Sequence, residues 1–198
     1  MQLAIIDYNA GNVQSVLFAL ERLGIKGILT NDIDTIKNAD KVIFPGVGEA
    51  STAMNYLKKY NLEDVLPNLT QPFLGICLGM QLMCKHSDEN DTDCLGIFDL
   101  NVTKFPTHTD NQKFKVPQIG WNQLENPKSP LFKNIKEGDY AYFVHSFYVP
   151  KNDFSIANST HSLEYCAALH RDNFYATQFH PEKSAKVGAQ ILKNFIEL

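Results

Sequence analysis

The first half of the chain alternates short apolar runs with segments whose apolar residues recur every three or four positions. No other feature restricts the fold as much. Leu3–Ile6 reads as a four-residue strand. Val13, Val16, Leu17, Leu20 and Leu23 then mark one helical face, with Asn12 as a candidate N-cap and Gly24 as the stop. Gly27–Thr30 and Lys41–Phe44 read as the second and third strands. A helix carrying Ala50, Met54 and Leu57 follows, then a strand, Pro72–Ile76, and a helix starting near Leu78. Repeated βα units on short connections predict a parallel sheet wound with helices on both faces. Ligands of such sheets bind beyond the carboxyl ends of the strands. Two glycine-bearing segments lie at such ends: Pro45-Gly46-Val47-Gly48 and Gly75-Ile76-Cys77-Leu78-Gly79.

The second half reads mostly as β. Residues 86–94, HSDENDTDC, predict a solvated loop. Asp139–Val149 is rich in aromatic and β-branched residues, and Tyr175–Phe179 is a last short strand. A terminal helix over about Ala185–Glu197 buries Val187, Ile191, Leu192 and Phe195. No linker or internal repeat divides the chain, so 198 residues with 44% apolar content predict a single domain over 1–198. The net charge of −4, without a Lys/Arg stripe, argues against nucleic acid as a partner. The start, MQLAIIDYNAGN, has no basic n-region, and no apolar stretch approaches the roughly 18 residues of a membrane span. Cys77, Cys84, Cys94 and Cys166 show neither C-x-x-C nor zinc spacing, so free thiols in a reducing cytoplasm are expected of all but Cys77. Nothing calls for a metal or organic cofactor.

Cys77 stands apart because of its neighbours. A strand that turns sharply into a helix exposes the residue at the turn, and the flanking positions must be small. The G-x-S-x-G elbow of hydrolases works this way; here cysteine replaces serine. A thiol at a helix N-terminus feels the positive end of the helix dipole, which favours the thiolate. The N–H of Leu78 points into the same space and is a candidate oxyanion donor. On the pentapeptide alone, a buried thiol packed by two glycines is an equal reading, and the nucleophile needs a base.

Of six histidines, His86, His108 and His161 lie in polar stretches and read as surface; His170 precedes a turn. His145 sits within an apolar strand, where a hydrogen-bonded core histidine is the ordinary reading. His180 ends a strand and is followed by Pro181-Glu182. Pro181 should block a helix and hold the chain extended, placing Glu182 on the same side as His180. Cys77, His180 and Glu182 then supply nucleophile, base and orienting carboxylate. A second oxyanion donor is expected from Val47 and Gly48, whose loop can approach a substrate closely.

With these residues assembled, the sequence resembles the class I (triad) glutamine amidotransferases over essentially its whole length. The markers are LGICLGMQLM (74–83) and ATQFHPEKS (176–184). Pro45-Gly46-Val47-Gly48, Val116-Pro117-Gln118-Ile119-Gly120-Trp121-Asn122 and Tyr142-Phe143-Val144-His145-Ser146 are similar to the glutaminase subunits of imidazole glycerol phosphate synthase, in histidine biosynthesis. One departure is Gln118, where that family usually has His; a loop-supporting role is expected there. The resemblance implies an α/β fold: three layers, a mostly parallel central sheet with helices on both faces and a flavodoxin-like core, plus a β-rich second half.

It also implies a mechanism. Cys77 attacks the side-chain amide of L-glutamine, His180 passes a proton to the leaving ammonia, and Glu182 aligns the imidazole. Leu78 and the Val47–Gly48 loop hold the oxyanion, and water releases glutamate from the thioester. Gln81 and the His145-Ser146-Phe147 backbone hold the α-amino and α-carboxyl groups, with Gly48 against the substrate. Ammonia passes through a channel to a (β/α)₈ cyclase partner in a heterodimer, which makes imidazole glycerol phosphate and an aminoimidazole carboxamide ribotide. That barrel must be another polypeptide. Asn12, Trp121, Tyr140 and Lys183 are the implied interface residues. Allosteric activation is implied as well, by rotation of a peptide in the Pro45–Gly48 loop once the partner binds its nucleotide. The alternative is a related glutaminase serving another acceptor, such as a surface-polysaccharide sugar; a non-catalytic subunit fits poorly with an intact triad.

Overall fold

In a computed structural model of the chain, residues 1–8, 13–109 and 112–198 are described. Asn12, expected as a helix cap and as an interface residue, lies outside them. The parallel part of the sheet comes from β1 (Leu3–Ile6), β2 (Gly27–Thr30), β3 (Lys41–Phe44) and β4 (Phe73–Ile76). Between them run α1 (Val13–Arg22), α2 (Ile33–Asn38), α3 (Ala50–Lys59) and α4 (Leu62–Val65), and α5 (Leu78–Leu82) leaves β4. The β-rich part contributes β5 (Cys84–Ser87), β6 (Thr92–Asp93), β7 (Phe98–Lys104), β8 (His108–Thr109) and β9 (Gln112–Lys113). It continues with β10 (Gln118–Gln123), β11 (Tyr140–His145), β12 (Phe147–Pro150), β13 (Ser155–Thr160), β14 (Glu164–Arg171) and β15 (Phe174–Thr177); α6 (Ala185–Glu197) closes the chain.

The strand order is β2-β1-β3-β4-β15-β14-β12-β7-β5-β6, with β13 paired to β14. From β2 to β15 every pairing is parallel; β14 and β12 then run antiparallel to their neighbours. The last strand of the chain is thus inserted beside β4, and its carboxyl end lies next to that of β4. Residue alternation sorts the strands onto two cores. Leu3, Ile5, Ile43 and Leu74 pack with Val16 and Leu20 of α1 and Ile191, Leu192 and Phe195 of α6. Ala4, Ile6, Val42, Phe44 and Phe73 pack with Met54 and Leu57 of α3 and Leu62 of α4. Each such fully buried aliphatic or aromatic side chain stabilises by roughly 1.5–3 kcal/mol, and the two stripes hold helices on both faces. No helix among the described residues is long and apolar enough to cross a membrane.

One local expectation changes and one is refined. Residues 86–94 are not one solvated loop: β5 and β6 form a hairpin there, with His86 opposite Asp93 and within 3.3 Å of Asp91. Carboxylates on both sides of one imidazole give this polar stretch a strand pairing that its composition hides. His170 lies inside β14, stacked on Tyr175 at 4.1 Å, and the turn falls just after it.

The start of α6 bears on the site. A Cβ at Gly188 would lie 1.8 Å from the carbonyl oxygen of Pro181, so only glycine lets the helix approach the 180–184 segment. Gly188→Ala should force that contact apart and destabilise the protein by about 2 kcal/mol, read as a lower midpoint in denaturant unfolding.

Candidate active site

Cys77 joins β4 to α5 with φ 53° and ψ −108°, a region that residues with a Cβ rarely occupy. The glycines expected to permit the bend do so by omission. A Cβ at Gly79 would lie 1.9 Å from the Phe44 carbonyl oxygen, and one at Gly75 would lie 2.4 Å from Met83 Sδ. A Cβ at Gly46 would meet the hydroxyl of Tyr8 at 2.1 Å. The Cys77 N–H donates to the Thr177 carbonyl at 2.7 Å, tying the elbow to β15. With five residues, α5 supplies little of the dipole expected to favour a thiolate.

The positive charge comes from His180. Its Nδ1 lies 2.7 Å from Glu182 Oε1, both side chains being almost fully buried. Its Nε2 is buried and has no hydrogen-bond partner among the described residues, while the Cys77 sulfur acts on the ring electrostatically. Burial works against the imidazolium, but the negative Cys77 sulfur, and then the bond to Glu182, outweigh it and push His180 up to about 10. This is the direction that a carboxylate and a sulfur on either side of an imidazole impose. The expected extended run through Pro181 is not what brings the pair together. His180 is extended, but Pro181–Lys183 is a single 3-10 turn with Pro181 in its first position, where a missing N–H costs nothing. The turn swings Glu182 back onto the imidazole. Strand β11 steadies it: the His180 N–H donates to the Tyr142 carbonyl at 2.9 Å, and the Tyr142 N–H donates to Ser184 Oγ at 2.9 Å.

A cavity of about 280 Å³ opens beside Cys77, lined by Val47, Gly48, Leu78, Gln81, His145, Ser146 and Phe147 among others. Residues predicted from both halves of the sequence therefore meet at one place. Gly48 has φ 117°, open to glycine. Gln81 Nε2 donates to the Phe147 carbonyl at 2.9 Å, and His145 Nδ1 donates to the same oxygen at 2.7 Å. His145 is held by aromatic neighbours, and burial pushes it down to about 4, so its imidazole is a neutral wall of the site. Gln118 is buried and accepts from the Tyr165 hydroxyl at 2.9 Å, a support for the fold under β10.

One oxyanion expectation is not met in this conformation: the Leu78 N–H points to the Gly46 carbonyl at 3.4 Å. The sequence reading also missed Glu89. It lines the cavity, half-buried, and accepts from the Ala50 N–H at 2.8 Å. Burial raises its carboxyl above the usual range. It lies in an acidic run, and only the packing of that run on α3 singles it out. Trp121 and Tyr140 are 52% and 50% exposed on the β10–β11 ribbon, and Lys183 is exposed beside the triad.

The His180 value has a consequence for stability. The folded value of about 10 exceeds the ordinary 6.5, so the contribution of His180 is complete below about pH 6.5 and is lost as the pH rises towards 10. Unfolding free energy measured over a pH series should fall across that window. Cys77→Ser should flatten the fall more than Glu182→Gln, because the sulfur is the larger favourable partner.

The family profile described as glutamine amidotransferase class-I matches residues 4–198. The imidazole glycerol phosphate synthase subunit HisH of Bacteroides thetaiotaomicron is 53% identical over all of both chains. The subunit of that name from Haemophilus influenzae is 43% identical over 100% of this chain and 98% of its own. A chain in the structure of PurLQS from Thermotoga maritima has TM-score 0.73 at 15% identity, covering 99% of this chain and 97% of that one, a likeness of fold. The chain belongs to the class-I glutamine amidotransferases and, within them, to the family of the imidazole glycerol phosphate synthase subunit HisH.

Proposed function

We propose that the cavity beside Cys77 is a glutaminase site and that its ammonia serves the synthase reaction of histidine biosynthesis. The observation that carries the reading is the buried Cys77–His180–Glu182 alignment at the mouth of a cavity walled by Gln81, Ser146 and Phe147. The Cys77 thiolate attacks the amide carbon of L-glutamine. The His180 imidazolium then protonates the departing nitrogen, which leaves as ammonia, and Glu182 keeps the ring in register. Water, deprotonated by the now neutral imidazole, opens the thioester and releases glutamate. Val47 and Gly48 supply the oxyanion donors with Leu78, once the Leu78 N–H has left Gly46.

Gln81, Gly48 and the His145-Ser146-Phe147 segment bind the amino-acid end of the substrate. Glu89 joins them: with one oxygen on the Ala50 N–H, the other is left for the α-ammonium group. We assign Trp121, Tyr140 and Lys183 to the face that meets a (β/α)₈ cyclase subunit, since exposed aromatics near a ribbon edge suit an interface anchor. Four unpaired cysteines fit a reducing cytoplasm. Relatives carrying the synthase name over their full length favour this acceptor over a surface-polysaccharide sugar.

The test is glutamate release from glutamine by the full chain, alone and with the cyclase barrel and its nucleotide substrate. Release should be slow alone and rise at least about a hundred-fold with both present, on the order of 3 kcal/mol of transition-state stabilisation; a rate unchanged by the barrel would assign the chain to another acceptor. Glu89→Gln, which keeps the oxygen that caps α3, should raise KM about ten-fold with little change in kcat; an unchanged KM would remove Glu89 from the substrate site.

A further inference from the structure

Gln178 directly follows β15, two residues before His180, and no step of the mechanism above uses it. Its side chain is completely buried. Its backbone N–H donates to the Ala167 carbonyl at 2.8 Å, which fixes the residue on β14. Its Nε2 lies 3.7 Å from Cys77 Sγ, and its Oε1 accepts from Gln81 Nε2 at 3.0 Å. We propose that Gln178 is a positioning residue of the glutaminase site, holding the Cys77 sulfur and the Gln81 carboxamide in one hydrogen-bonded arrangement. The assignment rests on the glutaminase reading and adds a residue to it.

The chain of donors leaves one orientation for each amide. The Phe147 carbonyl can only accept, so the nitrogen of Gln81 must face it. The second hydrogen of that nitrogen goes to Gln178 Oε1. The nitrogen of Gln178 must then face the sulfur. Reversing Gln81 would set its oxygen against the Phe147 carbonyl and Gln178 Oε1, and reversing Gln178 would set its NH2 against that of Gln81, each at the cost of unsatisfied buried groups. Two consequences follow. The sulfur has a fixed N–H donor, which stabilises its negative form more than its neutral form. Gln81 presents Oε1, an acceptor, as its remaining polar atom, and an acceptor suits the α-ammonium of an amino acid.

Two variants separate these roles from simple core filling. Gln178→Met keeps the shape and removes both bonds. Gln178→Glu keeps the acceptor for Gln81 and replaces the donor to sulfur with a negative charge; being nearly isosteric, it carries the test if the methionine variant folds poorly. Each is treated with iodoacetamide over a pH series, with labelling of Cys77 read by peptide mass spectrometry, and each is assayed for glutamate release with the barrel subunit present. For Gln178→Met the alkylation curve should move to higher pH, with kcat down and KM up, each about ten-fold, the size of one or two buried neutral hydrogen bonds. For Gln178→Glu the curve should move further and kcat fall more, while KM stays within about two-fold. Alkylation curves for both variants that coincide with wild type would overturn the assignment. Because alkylation needs no turnover, a shift in a protein that releases no glutamate would uphold the placement of Gln178 and sink the glutaminase reading instead.

Discussion

The site depends on one backbone conformation, the left-handed φ of Cys77. A residue with a Cβ pays of order 1–3 kcal/mol to stay there, so its neighbours must make every alternative worse. Three bonds and three missing side chains do this. The Cys77 N–H is held by Thr177 and the Cys77 carbonyl by the Gln81 N–H at 3.2 Å, while the next turn of chain leans on Gly46. Gly46, Gly75 and Gly79 each leave room that a methyl group would fill to within 2.4 Å of a neighbour. The elbow is therefore a property of three adjacent strands, β3, β4 and β15, and could not be built by the pentapeptide alone.

The placement of β15 explains the rest of the triad. Its carboxyl end delivers His180 beside Cys77, and β11 then grips the turn through both backbone groups of Tyr142. Tyr142 faces Trp121 across the β10–β11 ribbon, with their rings 5.9 Å apart. One residue, Tyr142, thus separates the exposed Trp121 from the backbone that supports His180.

How far the sequence could be read follows from which interactions are local. The βα units are governed by helical and strand periodicity within a few residues, and β1 to β4, α1, α3 and α6 fall where the apolar pattern puts them. Cys77, His180 and Glu182 were legible because each carries its own local signature of turn residues. Gln178 and Glu89 were not. Their place at the site comes from contacts 101 and 39 positions away in the chain, to Cys77 and Ala50, and nothing beside them in the sequence points across that distance. The turn at Pro181–Lys183 was misjudged for a related reason: proline forbids a helix interior but welcomes a helix start, and β11 decides between them. The β5–β6 hairpin was hidden by polar composition, since its pairing is satisfied by backbone and by the His86 carboxylate pairs instead of an apolar face.

The Leu78 N–H adds a last constraint. It cannot serve an oxyanion while it donates to Gly46, yet at 3.4 Å that bond is long and correspondingly weak. Releasing it costs little, and the peptides around Gly46 and Gly48 can rotate without a Cβ to obstruct them. The Tyr8 hydroxyl, buried against Gly46 and lacking a partner among the described residues, makes the present arrangement less than fully satisfied. Little therefore holds the loop in this arrangement against one in which the Leu78 N–H is free. Which one prevails is set by whatever binds one better than the other, because a ligand shifts an equilibrium only by its difference in affinity for the two forms. A glutamine molecule meets the loop directly, whereas a protein on the ribbon reaches it only through β11 and the cavity wall at Val144 to Phe147. A glutamine and a cyclase partner, as proposed above, differ in the side from which they reach the loop.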